Sequence, residues 1–231
     1  MVRLSGQLKK STIKTSFNEV TVADLLKIQK HTPREVLAAL SDIPPEKLSA
    51  LSSEDVLALY ELVAFVEDVS EIAAALRPDV DLPEVDIAGA TFEKLELAKK
   101  RTEEIKQPYR LFIELVKIYF GEELLAGPAV PCLALGAWIY QDLNNFFHRF
   151  KDLAAEPPTE DEEEAGIEAL HSFGPYGIAE NLASKYGAKP FDVFQWTAEE
   201  VYLELTFQMA KNRYQDNLRA IEKRKNAKPK K

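Results

Sequence analysis

At 231 residues, with 46% apolar and 10% aromatic side chains, the chain is long enough for one large or two small domains and rich enough to build a core. Its net charge of −9 argues against a general nucleic-acid binder, because phosphate binding draws on clustered Lys and Arg. The single cysteine, Cys132, excludes an intramolecular disulfide and a cysteine-rich zinc site, so a reducing compartment is the economical expectation.

The opening MVRLSGQLKKSTIK has no continuous apolar run of the kind a secretory signal needs. Residues 1–20 are polar and β-leaning, with Thr12, Ile13, Thr15, Phe17 and Val20 spaced for an extended arm or short edge hairpin. From Thr21 the pattern turns helical. Thr21 with Asp24 resembles a capping box, and Val22, Leu25, Leu26 and Ile28 share a side. Thr32-Pro33-Arg34-Glu35 is a hydroxyl cap, a proline at the first helical position and a carboxylate at the third, which predicts a helix through Leu40. Pro45 can open a short turn through Leu48. Ser52 or Ser53 can cap a longer helix that buries Val56, Leu59, Tyr60, Val63 and Val66. Residues 21–76 thus read as a small helical region.

Residues 77–90, RPDVDLPEVDIAGA, hold two prolines, a glycine and four carboxylates without helical period, and mark a linker and domain boundary. The larger helical domain is expected over 91–222. It opens with a charged helix from Thr91 to Lys106 carrying a thin stripe of Phe92, Leu95, Ala98 and Ile105. Pro108 interrupts or kinks the pattern. YRLFIELVKIYF then gathers Leu111, Phe112, Leu115, Val116 and Tyr119 on one face and stops at Gly121. Leu124–Tyr140 is uncharged for 17 residues, but its two prolines, its glycines and its carboxylate flanks favour buried core over a membrane span.

Seven carboxylates lie between Glu156 and Glu168 with no basic residue among them. Repulsion and the Pro157-Pro158 pair predict an exposed acidic loop over 156–166, either simply solvated or a docking site for a basic partner. The basic tail at 223–231 is the chain's own candidate for that partner; otherwise it is a solubilising end or a contact for phosphate or protein. Between loop and tail lies the clearest local grammar. Gly187 can end one helix in the left-handed conformation, Pro190 can start a short segment bearing Phe191, Phe194 and Trp196, and Thr197 with Glu200 forms a capping box for the last helix. In that helix Leu203, Phe207, Ala210, Tyr214, Leu218 and Ile221 recur at spacings of three and four, while Val201, Tyr202, Leu205 and Met209 extend the apolar surface near its start. Such a half-helix is either buried among neighbours or a partner-binding face. The fold class expected is mostly α, with two helical regions and a short β-leaning N-terminal arm.

A search for chemistry finds little. His31, His148 and His171 sit in no metal-ligand spacing, and Cys132 lies in an apolar run without a cation to activate it. No phosphate-cradling GxxxxGK or GxGxxG and no GxSxG elbow occurs. Adjacent carboxylates such as Glu103 with Glu104 and Glu199 with Glu200 diverge by about 100° around a helix and do not converge on one atom. The expectation is a protein that is not an enzyme, with no cofactor and no metal site.

Two stretches carry a resemblance. SKYGAKPFDVFQWTAEEVYLELTFQMAKNRY is similar to the C-terminal pattern of bacteriophage tail assembly chaperones, where a helix ending near Tyr-Gly precedes a proline-led aromatic segment and an acid-capped helix. SFNEVTVADLLKI resembles an N-terminal phrase common in such phage proteins, and together the two cover about a third of the chain. The resemblance implies a non-enzymatic protein that coats the tape measure protein and helps recruit tail-tube subunits in the host cytoplasm during infection. It supplies no catalytic residue. On the matching positions, Tyr186, Phe191, Phe194, Trp196, Tyr202 and Phe207 are expected as core or partner-contact residues. The partners expected are proteins, with self-association left open and with neither specific nucleic acid nor membrane among them. The alternatives are a structural phage protein resident in the virion, such as a connector or internal component, or a helical adaptor.

Overall fold

The computed structural model describes residues 2–3, 12–14, 19–28, 32–63, 83–153 and 160–226. His31, Val66, the helical reading of 64–76, the first part of the linker, residues 156–159 and the tail from 227 lie outside them, as does the His171 side chain. Among the described residues the chain is mostly α-helical. The expected N-terminal arm is not supported: the strands described there are only β1, Val2–Arg3, and β2, Thr12–Ile13, paired antiparallel with Val2 opposite Ile13. Two residues per strand are too few to constitute an arm.

The chain divides into two compact units that interleave in sequence. The described parts of Met1–Val85 and Leu97–Asp142 form the first, and Asp86–Glu96 with Leu143–Lys231 form the second. The linear division expected, 21–76 against 91–222, therefore differs from the one seen. Composition along the chain registers where helical patterning lapses, but not which later segment an earlier one packs against.

In the first unit, α1 (Val22–Leu26) starts where it was expected to. Thr21 and Asp24 form the reciprocal capping box, with the Asp24 N–H donating to Thr21 Oγ1 at 3.2 Å and the Thr21 N–H donating to Asp24 Oδ2 at 2.9 Å. Val22, Leu25 and Ile28 are fully buried, but Leu26 is 48% exposed and lies off the shared face. A second layer of charge surrounds the cap. Burial alone would raise the Asp24 pKa, yet hydrogen bonds from Lys14 Nζ and from the Thr21 N–H and hydroxyl, with the Lys14 charge, hold it down at about 2. Because this lies below the unfolded value of 3.8, Asp24 stabilises the fold above pH 4 and the contribution disappears as pH falls through about 2. Asp24→Asn is expected to remove about 2 kcal/mol at neutral pH and to flatten the stability curve between pH 4 and pH 2, read by urea unfolding at each pH.

Helix α2 (Pro33–Leu40) begins on Thr32, whose hydroxyl accepts the Glu35 N–H at 3.3 Å, and buries Val36, Leu37 and Leu40. Helices α3 (Pro45–Ala50) and α4 (Ser53–Tyr60) follow, the latter capped by Ser52. Arg34 on α2 reaches the carbonyls of Leu48 and Leu51 at the end of α3, satisfying acceptors that a helix C-terminus leaves bare. Helix α5 (Phe92–Glu104) ends before Pro108, which opens α6 (Pro108–Phe120) as its first residue rather than kinking it. Tyr109, Leu111, Phe112, Ile113, Leu115 and Val116 are buried, and Gly121 closes the helix at φ 81°.

The uncharged stretch resolves into a short 3-10 turn, Glu123–Ala126, and the 21-residue α7 (Ala129–Arg149). Chain pairing at Val20 and Thr21 holds its start, with the Ala129 N–H donating to the Val20 carbonyl at 2.9 Å. Cys132, Leu133, Leu135 and Ile139 are buried, whereas Trp138 at 42% and Tyr140 at 38% remain exposed. Gly136 meets α6 backbone to backbone: a Cβ there would lie 2.4 Å from the Phe112 carbonyl oxygen. Among the described residues, no helix is long and apolar enough to cross a membrane.

The second unit contains α8 (Glu160–Glu164), α9 (Ile167–His171), α10 (Pro175–Tyr186), α11 (Pro190–Val193) and the 29-residue α12 (Ala198–Asn226). Three expectations are corrected here. The acidic loop at 156–166 is helical from Glu160 to Glu164, because carboxylates in a first turn are favoured by the helix dipole. The basic segment begins inside α12, where Lys223, Arg224 and Lys225 occupy the last turn and suit its negative end. Asp86–Ala90, read as linker, is with Thr91 a docked strap: Ile87 is buried, and the Ala90 and Ala88 carbonyls accept the N–H groups of Ala198 and Glu199 at 2.8 and 3.1 Å.

Candidate partner-binding surface

The strap ties the turn between α11 and α12 with backbone hydrogen bonds in both directions. In return for the carbonyls it gives to α12, the first N–H groups of α5 find acceptors on that turn: Phe92 donates to the Trp196 carbonyl at 2.8 Å and Glu93 to the Phe194 carbonyl at 3.0 Å. Each helix start is thereby capped by the chain leading into the other. The Thr197–Glu200 box completes the junction, with the Thr197 N–H and hydroxyl each 2.9 Å from Glu200 Oε2 and the Glu200 N–H 3.2 Å from Thr197 Oγ1. The Thr197 hydrogen bonds hold the Glu200 carboxyl below its ordinary pKa, so it stays charged at neutral pH. Upstream, α10 ends at Gly187 in the left-handed conformation, φ 67°, as its position after Tyr186 predicts.

The six residues singled out from the sequence separate into an inner and an outer set. Tyr202 is inner: it is 8% exposed, with ring centroids of Phe146 and Phe150 both at 5.2 Å, and its hydroxyl donates to Glu96 at 3.2 Å. Burial, then the Glu96 charge and hydrogen bond, push its pKa up, so the phenol stays protonated. Phe194 is half-buried and stacks on the fully buried Phe92 at 5.6 Å, supporting the turn from beneath. The outer set is Phe191 at 73% exposure, Phe207 at 61% and Tyr186 at 52%, with Trp196 half-buried edge-on to Tyr186 at 5.6 Å.

These outer residues form two patches. Phe191 meets Tyr176 of α10 at 6.0 Å, and Phe173 beside it is also exposed. On the other side Tyr186, Trp196, Glu200, Leu203, Glu204 and Phe207 line a groove of about 550 Å³. Glu204 is fixed within it by Lys185 and by the Tyr186 hydroxyl at 2.6 Å, and these bonds, Lys185 first, lower its pKa. Lys185 also lies over the Tyr186 and Phe207 rings at 5.2 and 5.7 Å. Phe92, which the spacing of α5 marks only as a core position, and Glu96, Tyr176, Lys185 and Glu204, which carry no such mark, join this surface through contacts between different elements.

From the groove the apolar stripe continues down α12, exposed among the described residues. Leu203, Tyr214, Leu218 and Ile221 are 54%, 63%, 40% and 43% exposed. Cys132 is buried away in the first unit, where desolvation pushes its thiol up to about 11, and His148 is exposed on α7. Among the described residues no cluster of three His, Cys, Asp or Glu side chains is placed to hold a metal ion. No protein-family model matches the chain, and no curated protein or solved structure matches it.

Proposed function

We propose that this chain is a non-enzymatic phage tail assembly chaperone, one that holds the tape measure protein and helps recruit tail-tube subunits in the host cytoplasm. The observation that carries the reading is the exposed aromatic patch of Phe191 and Tyr176 on the α10–α11 corner. Exposed aromatics in mutual contact on a rigid backbone are what a protein-binding surface presents, since their burial on docking costs little side-chain entropy. Phe191 lies within the stretch that resembles the chaperone family, with Tyr176 ahead of its start, and the capped turn follows directly on α11. Tyr202 and Phe194 serve this surface from below, as core.

The test is co-expression with the tape measure protein of the same phage, the long coiled-coil product expected from the gene immediately downstream. The two are expected to co-purify. Phe191→Ala, at a side chain 73% exposed, should lower recovery about tenfold while leaving the thermal midpoint within about a degree of wild type. Mature virions should lack the protein. Its stoichiometric recovery from purified particles would instead make it a structural component and end the chaperone reading.

A further inference from the structure

The exposed stripe on α12 has an internal symmetry. Leu203, Phe207, Ala210, Tyr214, Leu218 and Ile221 recur at spacings of four, three, four, four and three, a coiled-coil seam broken only where Asn217 stands in line and Leu218 beside it, and they are arranged nearly as a palindrome about the level of Asn212. Leu203 and Ile221 lie nine residues either side of it, Ala210 and Tyr214 two residues either side, and Phe207 is balanced by Asn217 with its neighbour Leu218. At the two ends charge follows the same plan with its sign reversed, while Lys211 and Arg213 carry like charge either side of the centre. Glu200 stands twelve residues before Asn212 and Arg224 twelve residues after it, with acids gathered at the start of the helix and bases at its end.

We propose that α12 pairs antiparallel with α12 of a second copy of this chain. The two-fold arrangement sets Leu203 against Ile221, small Ala210 against large Tyr214, and Glu200 against Arg224, twice each. Pairing in parallel would instead stack Tyr214 on Tyr214, Glu200 on Glu200 and Arg224 on Arg224, which charge and volume both oppose. The groove bounded by Trp196, Leu203 and Phe207 receives the end of the second helix: Ile221 enters its apolar floor and Arg224 reaches Glu200 at its rim. This occupant goes beyond the chaperone reading and does not depend on it. It assigns Phe207 to the self-contact and leaves Phe191 with Tyr176 for a foreign partner.

The experiment is light scattering on the eluting intact chain over a dilution series, combined with disulfide trapping. The wild type is expected to run at twice the 26.0 kDa chain mass. Tyr214→Glu places a charge in the seam at a side chain 63% exposed in the single chain, so it should raise the dimer dissociation constant about a hundredfold or more without changing the circular dichroism. Leu203→Cys and Ile221→Cys, mixed and oxidised, should link to each other. Neither should link to itself, because identical positions lie about 27 Å apart along antiparallel helices. A wild type that stays monomeric throughout the series overturns the proposal, and so does self-linking by Leu203→Cys alone, which would mean parallel pairing. Loss of tape-measure binding with the dimer intact would count against the chaperone reading only.

Discussion

Phe92→Ala is expected to destabilise the second unit by about 3–5 kcal/mol, the range for deleting a fully buried phenylalanine. The ring has no exposed surface and touches both Phe194, at 5.6 Å, and Tyr202, at 6.4 Å. Its removal opens a cavity where the aromatic cluster around Tyr202 meets the turn that carries Trp196. The surrounding backbone cannot collapse into that space, because the Phe92 and Glu93 N–H groups tie it to the Trp196 and Phe194 carbonyls. Of the two tryptophans, Trp196 lies in this unit and Trp138 in the other. Urea unfolding followed by fluorescence in a Trp138→Phe background therefore reads the second unit alone. A loss below about 1 kcal/mol would show that the ring does not hold this core together.

Gly136→Leu should be nearly as damaging to the first unit, at more than about 3 kcal/mol. A β-carbon at Gly136 would come to 2.4 Å from both the Cβ and the carbonyl oxygen of Phe112, and to 2.6 Å from its Cα. None of these is the tip of a flexible side chain, so the steric demand can be met only by moving α6 away from α7. Separation would expose Phe112, Leu115 and Leu133, which are now buried. Helix propensity works the other way, since almost any residue improves on glycine in a helix interior by about 1 kcal/mol, but that gain is far too small. Fluorescence of Trp138 in a Trp196→Phe background would follow the loss. Wild-type stability of Gly136→Leu would mean that the two helices are not in backbone contact.

Gly136 also shows where reading the sequence reaches its limit. Next to Pro128, Pro131 and Gly127 it resembled one more interruption in an apolar run, when it is the point at which two helices touch inside an unbroken α7. Local chemistry was legible wherever the partner lies three or four residues away. The Thr21–Asp24 and Thr197–Glu200 boxes, the Thr32 and Ser52 caps, the proline starts at Pro33, Pro45 and Pro190, and the stops at Gly121 and Gly187 all follow from backbone groups that a helix end must satisfy. Long-range assignments were not legible. That Tyr202 turns inward and Phe207 outward depends on Phe146 and Phe150 reaching the same place as Phe92, and no periodicity within α12 records that. The strap was misread for the same reason: it follows directly on the prolines and carboxylates of 77–85, which match a linker's composition, while its role lies in two main-chain carbonyls, which carry no sequence signature.

Those carbonyls also bear on how the protein is made. The start of α5 and the start of α12 complete one another across more than a hundred residues, as the Glu96–Tyr202 bond, 106 residues apart in sequence, illustrates. While a ribosome is still extending the chain, the strap and the first turn of α5 emerge long before any acceptor or donor for them exists. Closing so long a loop is slow, and contacts of this separation form late in folding. The second unit therefore assembles only once Thr197 and the turns after it have left the exit tunnel, and until then Phe92 waits in water as an exposed ring.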